Sequence, residues 1–128
     1  MKIAFLVGRI LVGGFYIYSG LKHFRNLQAM AGYARASGVP LPDIAVAGTG
    51  VLLFVAGFSI LLGYQPLLGI AAAVLFLIPV TLMMHAFWTM EGAARASNLV
   101  NFTKNTALLG SALMFLLIPR PWPWSLGR

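Results

Sequence analysis

Residues 67–87 read LLGIAAAVLFLIPVTLMMHAF, an unbroken run without a charged residue. A helix needs about 20 apolar residues to cross the hydrocarbon core of a bilayer, so this run predicts a transmembrane span. Pro79 lies inside it. A proline is tolerated in a span because neighbouring helices satisfy the freed carbonyl, and a kink is expected there. The run closes on Thr81-Leu82-Met83-Met84-His85-Ala86-Phe87-Trp88, which holds the single histidine within a hydrophobic segment.

Three more segments meet the same length requirement. They run from about residue 3 to 21, broken only by Arg9, from about 44 to 63, and from about 99 to 118, with Lys104 and Asn105 near the start of the last. Gly63-Tyr64-Gln65-Pro66 reads as a tight turn, which makes the second and third spans antiparallel neighbours. Between the first two spans, Phe24, Leu27, Ala31 and Ala34 recur at helical spacing. That pattern predicts a short helix lying in the membrane interface, ended by Ser37-Gly38. Val39-Pro40-Leu41-Pro42 then forces extended backbone. The predicted fold is all-α: one domain over residues 1–128, an integral membrane bundle of four antiparallel helices. Lys2 and the apolar run behind it imitate a secretory signal ending at Ala29-Met30-Ala31. Arg9 interrupts that run, and Lys22, His23 and Arg25 precede the cleavage-like site, so a span is expected instead.

Composition narrows the class. Hydrophobic residues make up 60% of the chain and charged residues 9%, against about 25% charged in soluble domains. The net charge is +7, but the cations sit singly at the ends of apolar runs, where they snorkel to lipid headgroups. A lipid bilayer is therefore the expected partner and nucleic acid is not. The chain has no cysteine, which excludes disulfides and thiol redox chemistry.

Four antiparallel spans put both termini on one side, here side A, with Lys2, Arg120, Arg128 and, below the surface, Arg9. Side B holds Lys22, Arg25, Arg35, Arg95 and Lys104. The charge bias is small and only slightly favours side B as cytoplasmic. Topology also gathers polar groups at side B. Ser19 and Lys22 end the first helix there, His85 and Trp88 the third, and Lys104 with Asn105 opens the fourth. His85, Trp88, Lys22, Lys104 and Asn105 are therefore the candidate ligand-binding residues. Thr81, His85 and Thr89 share a helix face, on which the imidazole could bond Thr81. An intramembrane ionisable group is costly and points to function, yet His85 lies one turn from the end of its span, where it could equally be a packing residue. Arg9 is a structural polar residue in the membrane: it either snorkels to side A or turns inward onto carbonyls or an anionic lipid. Trp122 and Trp124 read as a side A aromatic belt. His23 is placed at the rim, which disfavours haem held between His23 and His85. With two acids, neither at ligand spacing to a histidine, no metal site is expected.

The chain resembles the DoxX family of small bacterial membrane proteins. The likeness is carried by Gly8-Arg9-Ile10-Leu11, by Tyr18-Ser19-Gly20-Leu21-Lys22-His23-Phe24, by Val39-Pro40-Leu41-Pro42 and Leu61-Leu62-Gly63, and by His85-Ala86-Phe87-Trp88 and Phe102-Thr103-Lys104-Asn105. It implies a four-helix bundle in the bacterial inner membrane, and a link to quinones, since the family name comes from a subunit of an archaeal quinol oxidase or thiosulfate:quinone oxidoreductase. It marks Arg9, Gly20, Lys22, His85, Trp88, Lys104 and Asn105 as matching positions. Many relatives carry a glutamate in the second helix, where this chain reads Val51-Leu52-Leu53-Phe54-Val55; a proton- or cation-carrying role through that helix is not expected.

Two functions follow. One is a redox-linked accessory subunit that binds a quinone-like molecule at the side B mouth, with electron carriers on a redox partner protein; no nucleophile, base and orienting acid can be assembled for an enzyme acting alone. The other is a non-enzymatic scaffold or maturation partner that uses small-residue seams such as Gly69 with Ala73. A transporter this small would have to work as a homo-oligomer.

Overall fold

The computed structural model describes residues 1–127; Arg128, counted above on side A, lies outside the described residues. Five α-helices follow one another and no strand occurs among the described residues: α1 (Lys2–Arg25), α2 (Leu27–Ala36), α3 (Pro42–Leu62), α4 (Pro66–Met84) and α5 (Gly92–Phe115), with a single 3₁₀ turn at Phe87–Thr89. Three of them, α1, α3 and α4, are long and apolar enough to cross a membrane. Helix α5 equals α1 in length at 24 residues, but Arg95, Asn98, Asn101, Lys104 and Asn105 dilute its apolar character.

Neighbours in sequence pack as antiparallel neighbours in space. The start of α1 faces the end of α3, where Arg9 bonds Ile60 and Leu61, and the end of α1 faces the start of α3, where His23 bonds Val46. Helix α4 packs on α3 and α5 on α4. Side chains close the ring between α1 and α5, with the rings of Phe5 and Phe115 6.2 Å apart and the Lys104 ammonium 5.4 Å from the Phe15 ring.

The α1–α3 seam is built on glycine. A Cβ at Gly57 would lie 2.6 Å from Ile17 Cγ1 and 2.8 Å from the Gly13 carbonyl, so neither helix could approach as it does with a larger residue there. Gly69, on α4, lies against Ser59 in the same way. The buried core is Tyr16, Leu53, Ala56, Ile60, Ile70, Ala72, Ala73, Leu77, Ala112 and Trp122. Large apolar side chains such as Ile3, Leu11, Val51, Leu68 and Leu75 point outward, as a hydrocarbon solvent allows.

Two helix boundaries differ from expectation. Helix α4 stops at Met84, so His85 is its C-terminal cap residue and Thr89 leaves the face shared with Thr81. Successive residues of a helix diverge by about 100°, whereas here Phe87 and Trp88 both meet Phe102, with centroids 5.2 and 5.8 Å away. A continued helix could not present both rings to one partner. Helix α5 begins at Gly92, seven residues before the apolar run at 99. Ala93, Ala94, Arg95 and Ala96 are strong helix formers, and a helix does not have to start where hydropathy rises. The predicted helix between the first spans is present as α2, which seats Ala31 and Ala34 against Val46 of α3.

The side A end is closed by the C-terminal tail. The last four carbonyls of a helix have no partner within it, and all four of α3 are met from outside its regular bonding. The Tyr64 amide donates to Ser59, the Arg9 guanidinium to Ile60 and Leu61, and the Leu126 amide to Leu62. The same guanidinium reaches the tail carbonyls of Pro123 at 2.6 Å and Trp124 at 3.4 Å and lies 5.8 Å from the rings of Phe5 and Trp122. Arg9 therefore turns inward, 1% exposed, rather than snorkelling to side A. Trp122 is not a belt residue either: it is 2% exposed, edge-on to Phe5 and tilted on Phe115. Trp124 alone of that pair is exposed.

Candidate functional site

At the opposite end, side B, the helices part around a cavity of about 560 Å³. This falls within the range of small-molecule sites, about 300–1,000 Å³. Helix α1 supplies Phe15, Ser19, Lys22 and His23; α3 supplies Val46 and Thr49; α4 supplies Phe76, Pro79 and Met83; α5 supplies Asn101, Lys104 and Asn105; and His85 follows α4. Helix α2 lies across the same end with Met30, Tyr33 and Ala34 on the cavity. Most of the wall is apolar. Neither acid of the chain lines it, and Asp43 and Glu91 are both exposed.

Of the five candidate ligand-binding residues, Lys22, His85, Lys104 and Asn105 line this one cavity. Trp88 does not. It is 53% exposed and packs on Phe87 and Phe102 outside the cavity, so it forms no wall of the site. Gly20 meets Gly50 and Phe54 and serves the α1–α3 seam.

The polar groups differ in how they are satisfied. The Asn105 side chain is only 5% exposed and has no hydrogen-bond partner among the described residues. Because Asn105 lines the cavity, its amide is available there to a ligand. The Lys104 ammonium lies 5.4 Å from the Phe15 ring and that of Lys22 5.6 Å from the Tyr18 ring, and neither makes a hydrogen bond among the described residues. His85 does not bond Thr81; its Nδ1 lies 2.9 Å from Oδ1 of Asn98. The Asn98 amide nitrogen donates to the Ala94 carbonyl at 2.9 Å, which fixes the amide orientation, and Oδ1 also accepts from the Tyr33 hydroxyl at 3.4 Å. A three-residue node thus ties the cap of α4, the body of α5 and the covering helix α2.

Two participants escaped the sequence reading. His23 is not at the rim: α1 continues to Arg25, and the half-buried ring bonds the Val46 carbonyl at 3.1 Å and Thr49 at 3.2 Å and meets Phe76 edge-on. Asn98 falls just before the apolar run that opens at about 99, so hydropathy alone leaves it outside the helix. Once α5 is started at Gly92, Asn98, Asn101, Asn105 and Leu108 fall at spacings of three, four and three, one helix face. The run of alanines before Asn98 was the signal for it. No group of three or more metal-ligating residues occurs among the described residues.

Residues 4–86 match the DoxX family. That stretch runs from the start of α1 to just past His85, so Arg9, Gly20, Lys22 and His85 lie within it, while Trp88, Lys104 and Asn105 lie beyond. The chain is 30% identical over 131 residues to the inner membrane protein YphA of Escherichia coli strain K12, covering 98% of this chain and 89% of that protein. No solved structure matches it. A match over well more than half of the chain, together with three membrane-length apolar helices, leads to one conclusion: the chain belongs to the DoxX family and is an integral protein of the inner membrane.

Proposed function

We propose that the side B cavity binds a quinone-like molecule and that the protein is a redox-linked accessory subunit, its electron carriers residing on a partner in the same membrane. The observation that carries this reading is Asn105, 5% exposed on an apolar cavity, whose amide makes no hydrogen bond among the described residues. A ligand with matching polar atoms would pair with that amide, a net gain of about 0.5–1.5 kcal/mol. A lipid-soluble ring with two polar oxygens suits apolar walls with a few convergent polar groups. In this reading α5 is the fourth span of an antiparallel four-helix bundle. Its polar face turns to the cavity, and α2 lies in the interface.

The scaffold reading drew on glycine seams available to a partner. Gly13, Gly20, Gly57 and Gly69 are each occupied by neighbouring helices of the same chain, which leaves that reading less support. The test is mass spectrometry of gently extracted protein, followed by titration with a short-chain benzoquinone. Bound quinone is expected, with affinity reduced about tenfold in Asn105→Leu. Protein free of quinone, together with unchanged affinity in that variant, would sink the proposal.

A further inference from the structure

The two histidines of the cavity are held in the same tautomer. Asn98 Oδ1 can only accept, so the His85 Nδ1 2.9 Å away must carry the proton. The reverse amide orientation would set Oδ1 against the Ala94 carbonyl, acceptor against acceptor. His23 repeats the arrangement. The Val46 carbonyl accepts from its Nδ1, and the Thr49 hydroxyl, whose own proton goes to the Ala45 carbonyl at 2.7 Å, accepts there too. In both neutral rings Nε2 is therefore a lone-pair acceptor, and neither Nε2 has a partner among the described residues.

We infer that the cavity selects the reduced, hydroxyl-bearing form of its ligand, a diphenol, over the corresponding quinone, with His85 and His23 accepting hydrogen bonds from ligand hydroxyls. This rests on the reading above that the cavity takes a quinone-like molecule. A quinone carbonyl is only an acceptor. It could take a bond from Lys104, Lys22 or the Asn105 amide, but it would leave both imidazole nitrogens desolvated and unpaired. A diphenol satisfies both sets: each hydroxyl donates to an imidazole and its oxygen still accepts from an ammonium or amide. Asn98 acts as a positioning residue, since it determines which nitrogen of His85 faces the ligand.

The groups with titratable side chains on the cavity are Lys22 and His23 of α1, Tyr33 of α2, His85 beyond α4 and Lys104 of α5; α3 contributes none.

The experiment titrates full-length protein in lipid nanodiscs, without oxygen, with three probes: a decyl-substituted 1,4-hydroquinone, the matching 1,4-benzoquinone and the matching 1,4-dimethoxybenzene. The hydroquinone is expected to bind about tenfold tighter than the quinone, or more, and the diether more weakly than either. Asn98→Leu frees the His85 tautomer and should narrow the ratio of hydroquinone to quinone affinity. Histidine ¹⁵N spectra of the unliganded protein test the premise directly, even where a variant fails to fold: at a pH where the rings are neutral, a pyridine-like Nε2 is expected on both. Quinone binding as tight as hydroquinone, or a protonated Nε2 on the neutral rings, overturns this inference and leaves the proposed function standing. Failure of all three probes to bind overturns both.

Discussion

Arg9 and Tyr16 show two ways of burying a polar residue on one helix stripe. Both are fully buried and seven positions apart on α1. The guanidinium has five donors in a fixed fork, and the geometry gives it four carbonyls, two from the end of α3 and two from the tail. The Tyr16 hydroxyl is buried with no partner among the described residues. Removing the first strands acceptors; removing the second removes an orphan. Arg9→Leu should therefore destabilise the protein by about 3 kcal/mol or more and loosen the tail, read from unfolding in detergent and from Trp122 fluorescence. Tyr16→Phe should be neutral or stabilising by up to about 1 kcal/mol. A Tyr16→Phe variant that lost as much stability as Arg9→Leu would contradict this account of the stripe.

Helices α1 and α3 form the closest pairing of elements, and glycine permits it. Gly57→Ala places a methyl against Ile17 and the Gly13 backbone, where no flexible side-chain end can simply move aside. Overpacking of this kind costs about 1–3 kcal/mol. Gly14 on the same helix as Gly13 has nothing within 4 Å of its absent Cβ, so Gly14→Ala should cost nothing measurable. Parallel unfolding curves of the two variants check the contrast. Equal midpoints would mean that the seam tolerates separation. The helix ends carry a related lesson. Hydropathy located the middles of the helices, but the starting point of α5 followed from alanine propensity. The end of α4 followed from ring contacts that reach across to Phe102, which no local signal announces.

At the scale of the whole molecule, charge is distributed by depth as well as by side. Arg9 is withdrawn into the protein and Lys22 and Lys104 line the cavity, which leaves Arg25, Arg35 and Arg95 flanking side B against Lys2 and Arg120 among the described residues of side A. By the positive-inside rule the expected orientation has side B, and the cavity mouth with it, in the cytoplasm. The cysteine-free chain makes this easy to check. A single cysteine at exposed Gln28 should be shielded from an impermeant thiol reagent in intact cells, and one at exposed Leu126 should be labelled. The margin is one charge, so two lysines added beside Lys2 should reverse the pattern.

Read alone, the amino-acid sequence was enough for the class, the membrane location and the positions of the apolar helices, because a bilayer imposes length and hydropathy requirements that act residue by residue. The motifs also carried the family. The partners of the polar residues lay beyond it. That Arg9 binds the end of α3 and the tail, that His23 and His85 share a cavity, and that Asn98 orients His85 all depend on groups brought together from 13 to 115 positions away. Hydrogen bonding is short-ranged and directional, so only the packed helices decide which distant acceptor each donor finds.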